Sequence, residues 1–241
     1  MTRRKTLRTL FLAAVATVGF ARSSHAALLV DLRLTGVSGP AVIEDLAPPR
    51  VLVTGIGARI DMEIWAIVVA TNSTTLDDGL LDLSGSLVSG PGDNHLKGIM
   101  TAELLPAFSG PGSTAGRQQD LDGDGDLDVG GTNDADPTDF FVARAATAPN
   151  PVAGTNIRIG RASFTVQDVT SGFGFTQLEF FSRINPAAAT WFADGVMRTP
   201  GTDAFSGFRT VAVSAIPEPA ALGLLAAVTT FAAALRPQKK H

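Results

Sequence analysis

Five aspartates fall within nine residues of this chain, in the run Asp120-Leu121-Asp122-Gly123-Asp124-Gly125-Asp126-Leu127-Asp128. Carboxylates at loop positions 1, 3, 5 and 9, with a glycine at position 6, let a tight turn aim successive oxygens at one hard cation. Asp120, Asp122, Asp124 and Asp128 are the expected side-chain ligands. Asp126, at position 7, is expected to offer its backbone carbonyl, and Gly125 to take a positive φ. Like charges packed this closely repel one another unless a divalent ion neutralises them. Calcium is therefore the expected cofactor, in a structural role. Further oxygens are at hand in Asp134, Asp136 and Asp139, which follow directly.

Other chemistry is sparse. The absence of cysteine excludes thiol nucleophiles, disulfides and cysteine-ligated zinc. His95 is the one histidine between the two ends of the chain, it sits in a Gly/Pro/Asn-rich stretch, and no Gly-x-Ser-x-Gly elbow accompanies it. A glycosidase needs two carboxylates facing each other across a cleft; Glu44, Glu63, Glu103 and Glu179 are the glutamates available, and their spacing singles out no pair. Trp65 and Trp191 are the only tryptophans and tyrosine is missing. Trp65, beside Asp61 and Glu63, is a candidate glycan contact, against the alternative that it packs between sheets. No residue is assigned a catalytic role.

These residues must be carried by strands. Leu28, Val30, Leu32 and Leu34 alternate with Asp31, Arg33 and Thr35, and Ile60, Met62, Ile64, Ala66 and Val68 alternate with Asp61, Glu63 and Trp65; this is the period of a half-buried strand. Further strands are expected at 50–54, 80–88, 97–105, 140–145, 156–167, 177–184 and 205–214, separated by Gly, Pro, Asn and Asp turn clusters. Within 156–167 the apolar phase changes after Ile159, which predicts a bulge near Gly160. The expected fold is all-β: one antiparallel β-sandwich, Ig-like or a cohesin-like jelly roll, over residues 27–216, flanked by a signal helix and a C-terminal transmembrane helix.

The two ends read as addresses. Arg3, Arg4, Lys5 and Arg8 precede the apolar run Leu10–Ala21 and the small-residue site Ser24-His25-Ala26, the order of a secretory signal peptide over residues 1–26. Its basic start also partly matches a twin-arginine leader. At the far end, Pro217-Glu218-Pro219 is followed by the uncharged stretch Ala220–Leu235 and then by Arg236, Lys239 and Lys240. A basic cluster behind an apolar helix stays cytoplasmic, so the domain faces outside. This tripartite tail, residues 217–241, resembles the PEP-CTERM sorting signal of Gram-negative envelope proteins. The resemblance implies handling by the export machinery and an exosortase, transient inner-membrane anchoring through 220–235, and delivery to the envelope, outer surface or matrix, often beside exopolysaccharide. The aspartate loop resembles the calcium loops of FG-GAP or VCBS-type and dockerin-type repeats. It departs from a helix–loop–helix calcium site, which requires Glu at position 12, where this chain has Gly131.

Charge follows the same division. The net charge is −4, but the ends hold eight bases and one acid, so residues 27–216 carry 11 bases and 22 acids; eight of those acids lie between Asp120 and Asp139. A domain this acidic lacks the basic footprint that nucleic acid requires. The expected function is an exported, calcium-stabilised envelope or matrix protein with a structural or adhesive role. A secreted carbohydrate-binding module is the alternative, and a glycoside hydrolase the next.

Overall fold

A computed structural model describes residues 26–90, 96–132, 136–169, 174–182, 189–200 and 204–215. The expected signal segment (apart from Ala26), Pro217-Glu218-Pro219, the apolar stretch 220–235, His95 and Asp134 lie outside the described residues. The strands are β1 (Ala27–Ser38), β2 (Ala41–Leu46), β3 (Pro49–Val53), β4 (Arg59–Val69), β5 (Gly79–Gly90), β6 (Leu96–Leu104), β7 (Gln118–Gln119), β8 (Asp128–Val129), β9 (Phe141–Arg144), β10 (Val152–Ala153), β11 (Asn156–Val169), β12 (Phe175–Ser182), β13 (Ala189–Ala193), β14 (Val196–Arg198), β15 (Ala204–Arg209) and β16 (Val211–Ala215). A single 3-10 turn, Pro106–Phe108, is the one helical element among the described residues. None there is long and apolar enough to cross a membrane.

Two sheets pack face to face as a β-sandwich. The first runs β15-β1-β4-β11-β6, and the second β14-β13-β5-β12-β16-β3-β2, with β8, β9 and β10 also paired to β5 and β7 to β8. Alternation makes the sandwich: the even residues of β4, Ile60 to Val68, are buried inward while Asp61, Glu63 and Trp65 face out. Across the gap they meet Leu80, Leu83 and Leu87 of β5, Leu178 and Phe180 of β12, and Val211 and Val213 of β16 in one core. Trp191 of β13 is fully buried there, the largest side chain in the interior.

The phase change within β11 is resolved as expected, because register against β4 shifts between Arg158 and Gly160. The extra residue lets Ile157 and Ile159, and then Ala162 and Phe164, all point inward. A Cβ at Gly160 would lie 2.4 Å from the Glu103 carbonyl oxygen, so only glycine admits β6 this closely.

The sheets are antiparallel as expected, with two parallel pairings among the strands, β1 with β15 and β3 with β16. One expectation is corrected and one alternative falls. The stretch expected as one strand over 205–214 is two: β15 joins the first sheet, and after Thr210 the chain enters the second sheet as β16. Trp65 is not packed between the sheets, since it occupies the outer face of β4, and Trp191 fills the interior instead.

Candidate functional site

The aspartate loop lies between β7 and β8, at the corner where the end of β5 in one sheet and the start of β6 in the other both meet it. β6 is the edge of its sheet. Its exposed backbone is partly taken up by the loop: Leu127 N–H donates to the Gly98 carbonyl at 2.9 Å, and Met100 N–H donates to the Leu127 carbonyl at 2.6 Å. Gln118 Nε2 donates to the Met100 carbonyl at 2.7 Å. On the other side, Asp128 Oδ1 accepts from Ser89 N–H of β5 at 2.7 Å. The loop thus ties an open sheet edge to the opposite sheet, which also protects that edge from pairing with another chain.

Local geometry follows from glycine. Gly123 and Gly125 take φ of 82° and 90°, values that residues with a Cβ rarely adopt. The tightened turn closes on Asp120, whose Oδ1 accepts from Gly123 N–H at 2.7 Å and Oδ2 from Gly125 N–H at 3.1 Å. Asp124 Oδ1 accepts from Asp126 N–H at 3.0 Å. Gly90 makes room on β5, because a Cβ there would meet Asp122 Oδ2 at 2.5 Å.

The carboxylates form two trios that share one member. Oxygens of Asp120, Asp122 and Asp124 lie within 4.8 Å of one another on the open side, and those of Asp122, Asp126 and Asp128 do so on the inner side. Asp126 and Asp128 are 1% and 0% exposed. The side chain of Asp126, expected to point away while its carbonyl served, is instead turned inward: Oδ2 accepts from Ser89 Oγ, and Oδ1 is buried with no hydrogen-bond donor. Sequence spacing missed this, because an odd-numbered ligand ladder takes position 7 as a backbone contact; the buried Ser89 of β5 is the neighbour that draws it in.

Burial decides the electrostatics. It pushes the Asp126 carboxyl up to about 8, with Asp128 and Asp124 adding to the rise and the Ser89 hydroxyl opposing it. Burial likewise raises Asp128 to about 6 against the donors from Ser89 and Leu121. Asp122 is raised by burial and by the charges of Asp124 and Asp120. Without a cation Asp126 keeps its proton at neutral pH, and a divalent ion would displace it. The two additional candidates within the described residues are otherwise engaged: Asp136 Oδ1 accepts from Thr138 N–H and Oγ1 at 2.9 and 2.7 Å, and Asp139 Oδ1 lies 3.9 Å from Arg117.

The outer face of the first sheet carries the remaining polar candidates. Register places Arg33, Glu63, Arg161 and Glu103 in one row across β1, β4, β11 and β6, with Asp31, Trp65 and Arg158 in the next. Trp65 is half-buried, donates from Nε1 to Glu63 Oε2 at 3.0 Å, and has one ring face covered by the Arg33 guanidinium, 4.3 Å from the ring centroid. A shallow polar cleft of about 620 Å³ runs beside it, lined by Asp61, Glu63, Glu103 and Arg161 among others.

Glu63 is not set up as a general acid. Burial opposes ionisation of Glu63, yet the bonds from Arg158, at 2.6 Å, and Trp65 outweigh it and hold the carboxyl below its ordinary range. A general acid needs the opposite shift. Glu44 of β2 pairs with Arg50 of β3, and Glu179, raised by burial, lies on β12 of the second sheet.

No protein-family model matches the chain, and no curated protein matches it in sequence. Among solved structures the chain is similar to the sixth cohesin of scaffoldin B from Acetivibrio cellulolyticus, crystallised with a Cel5 dockerin mutant: identity is 9%, 80% of this chain and 99% of that one are covered, and the TM-score is 0.38. It is also similar to the third cohesin of ScaC from the same organism, in complex with a ScaB dockerin, with 9% identity, 79% and 99% coverage and a TM-score of 0.35.

Proposed function

We propose that this chain is an exported structural or adhesive β-sandwich module of the cell envelope or extracellular matrix, stabilised by calcium in the aspartate loop. The observation that carries this reading is the placement of five carboxylates at the one corner where the loop binds the edge strand β6 to β5. Neutralising that corner fastens the two sheets together, and sites of this kind suit the calcium-rich exterior, where modules bind in the range of about 10⁻⁴–10⁻³ M. The leader and the Pro217-Glu218-Pro219 tail supply the route outward, with exosortase as the processing partner and matrix components or exopolysaccharide as surroundings. Fractionating the native host with and without its exosortase tests the routing: the protein should leave the inner membrane only when the enzyme is present. Equal retention in both strains refutes it.

One observation keeps the carbohydrate-binding reading in play. Trp65 and the charged row beside it are accessible on the outer face, next to the polar cleft. A glycan array decides between them: binding that is lost in Trp65→Ala supports a glycan-binding module, and an empty array supports the structural reading.

A further inference from the structure

We infer that the corner holds two divalent cations and not one, an outer ion among Asp120, Asp122 and Asp124 and an inner ion among Asp122, Asp126 and Asp128, with Asp122 shared between them. The inference rests on the calcium-loop reading above and deepens it. Each trio brings its oxygens within 4.8 Å of one another, and only Asp122 belongs to both.

The inner position has support of its own. Asp126 is 1% exposed, and its Oδ1 is buried with no donor although the same carboxyl accepts from Ser89 through Oδ2. A buried carboxylate oxygen left without a donor is costly. An ion held only by Asp120, Asp122 and Asp124 leaves that cost in place, whereas a cation among the inner trio removes it.

Charge gives a second argument. Five carboxylates lie at this corner in two trios that share Asp122, and Lys97 of β6 brings a base to it, its Nζ 2.7 Å from where a Cβ on Gly125 would stand. With all five carboxylates ionised, as ion binding requires, and Lys97 counted, the local sum is −4. One divalent ion leaves two negative charges in a corner where Asp126 and Asp128 have almost no contact with water; two ions cancel it. Carboxylate-bridged ions typically sit about 3.5–4 Å apart, a separation that a single shared Asp122 carboxylate can span with one oxygen turned to each side. The inner ion, surrounded by β5 and the loop, should exchange slowly, and the outer one quickly.

Native mass spectrometry of the full-length chain, stripped with chelator and reloaded with calcium, counts the ions directly. Two are expected in the wild type, one in Asp124→Asn, which belongs only to the outer trio, one in Asp126→Asn, which belongs only to the inner trio, and none in Asp122→Asn. Calorimetric titration of the wild type with calcium provides a measurement free of any variant, and should give a stoichiometry near two. A single ion, lost equally in Asp124→Asn and Asp126→Asn, overturns the two-ion inference while leaving the calcium-loop reading intact. Two ions whose loss ignores this residue pattern overturn the assignment, and no ion at all overturns both readings.

Discussion

Remove calcium from the loop and the protein's stability should fall as pH rises, the reverse of the behaviour of ordinary salt-bridged carboxylates. Asp126 and Asp128 have folded-state pKa values raised to about 8 and about 6 from 3.8, chiefly by burial. A carboxyl raised on folding binds a proton that the unfolded chain has already released, so its contribution is undiminished below about pH 4 and is lost progressively up to the folded pKa. Between 4 and 6 both groups act; between 6 and 8 Asp126 acts alone. Each held proton lowers stability by about 1.4 kcal/mol per pH unit. Allowing for coupling between the two groups, the loss between pH 5 and 7.5 should be on the order of 2–4 kcal/mol. For a domain of this size that corresponds to a melting temperature lower by about 5–15 °C. Bound calcium should reverse the slope, because the ion requires ionised carboxylates. Differential scanning calorimetry at pH 5 and 7.5, in EDTA and in millimolar calcium, should therefore give curves that diverge with pH. A chelated protein equally stable at both values, or unaffected by calcium at pH 7.5, would refute the reasoning.

Other expectations concern the scaffold. Trp191→Ala removes the largest fully buried side chain and should cost about 3–5 kcal/mol in denaturant unfolding. Gly160→Ala places a Cβ 2.4 Å from the Glu103 carbonyl oxygen; overpacking of about 1–3 kcal/mol is expected, with unchanged stability counting against the observed register of β6 on β11. Asp194 accepts from Thr71 N–H and Oγ1 and from Asn72 N–H, and these bonds lower its pKa. Its contribution is therefore present above the unfolded value near pH 4 and disappears as pH falls, so Asp194→Ala should lower the melting temperature at pH 7 and do so less at pH 3.

Much of the sandwich could be read from alternation alone. β4 and β1 are long, regular and apolar on one face, so Ile60 to Val68 and Leu28 to Leu32 gave their direction without any tertiary knowledge, and the bulge in β11 announced itself as a slip in the same period. What alternation could not convey was pairing. β15 and β16 read as one apolar run because nothing local marks Thr210 as a crossing, and their partners β1 and β3 are distant in sequence. The hairpin of β13 and β14 was overlooked although Asp194 and Gly195 carry its turn, both at positive φ, 56° and 72°. The inter-sheet alternative for Trp65 fails although a large aromatic ordinarily seeks the interior, because Arg33 and Glu63 satisfy it on the outside. In the aspartate loop the ligand types were legible, and the division into two trios was not, since it depends on Ser89 and Gly90 of β5 meeting the loop from across the corner.

Whether a cation or a set of shared protons completes the buried corner at Asp126 can be read from a crystal structure of the full-length chain grown in calcium, with anomalous data collected to identify the ion. An anomalous peak is expected about 2.3–2.6 Å from carboxylate oxygens of Asp122, Asp126 and Asp128. A corner without such a peak, in which Asp126 Oδ1 shares a proton with Asp128 or bonds only to water, would contradict that expectation.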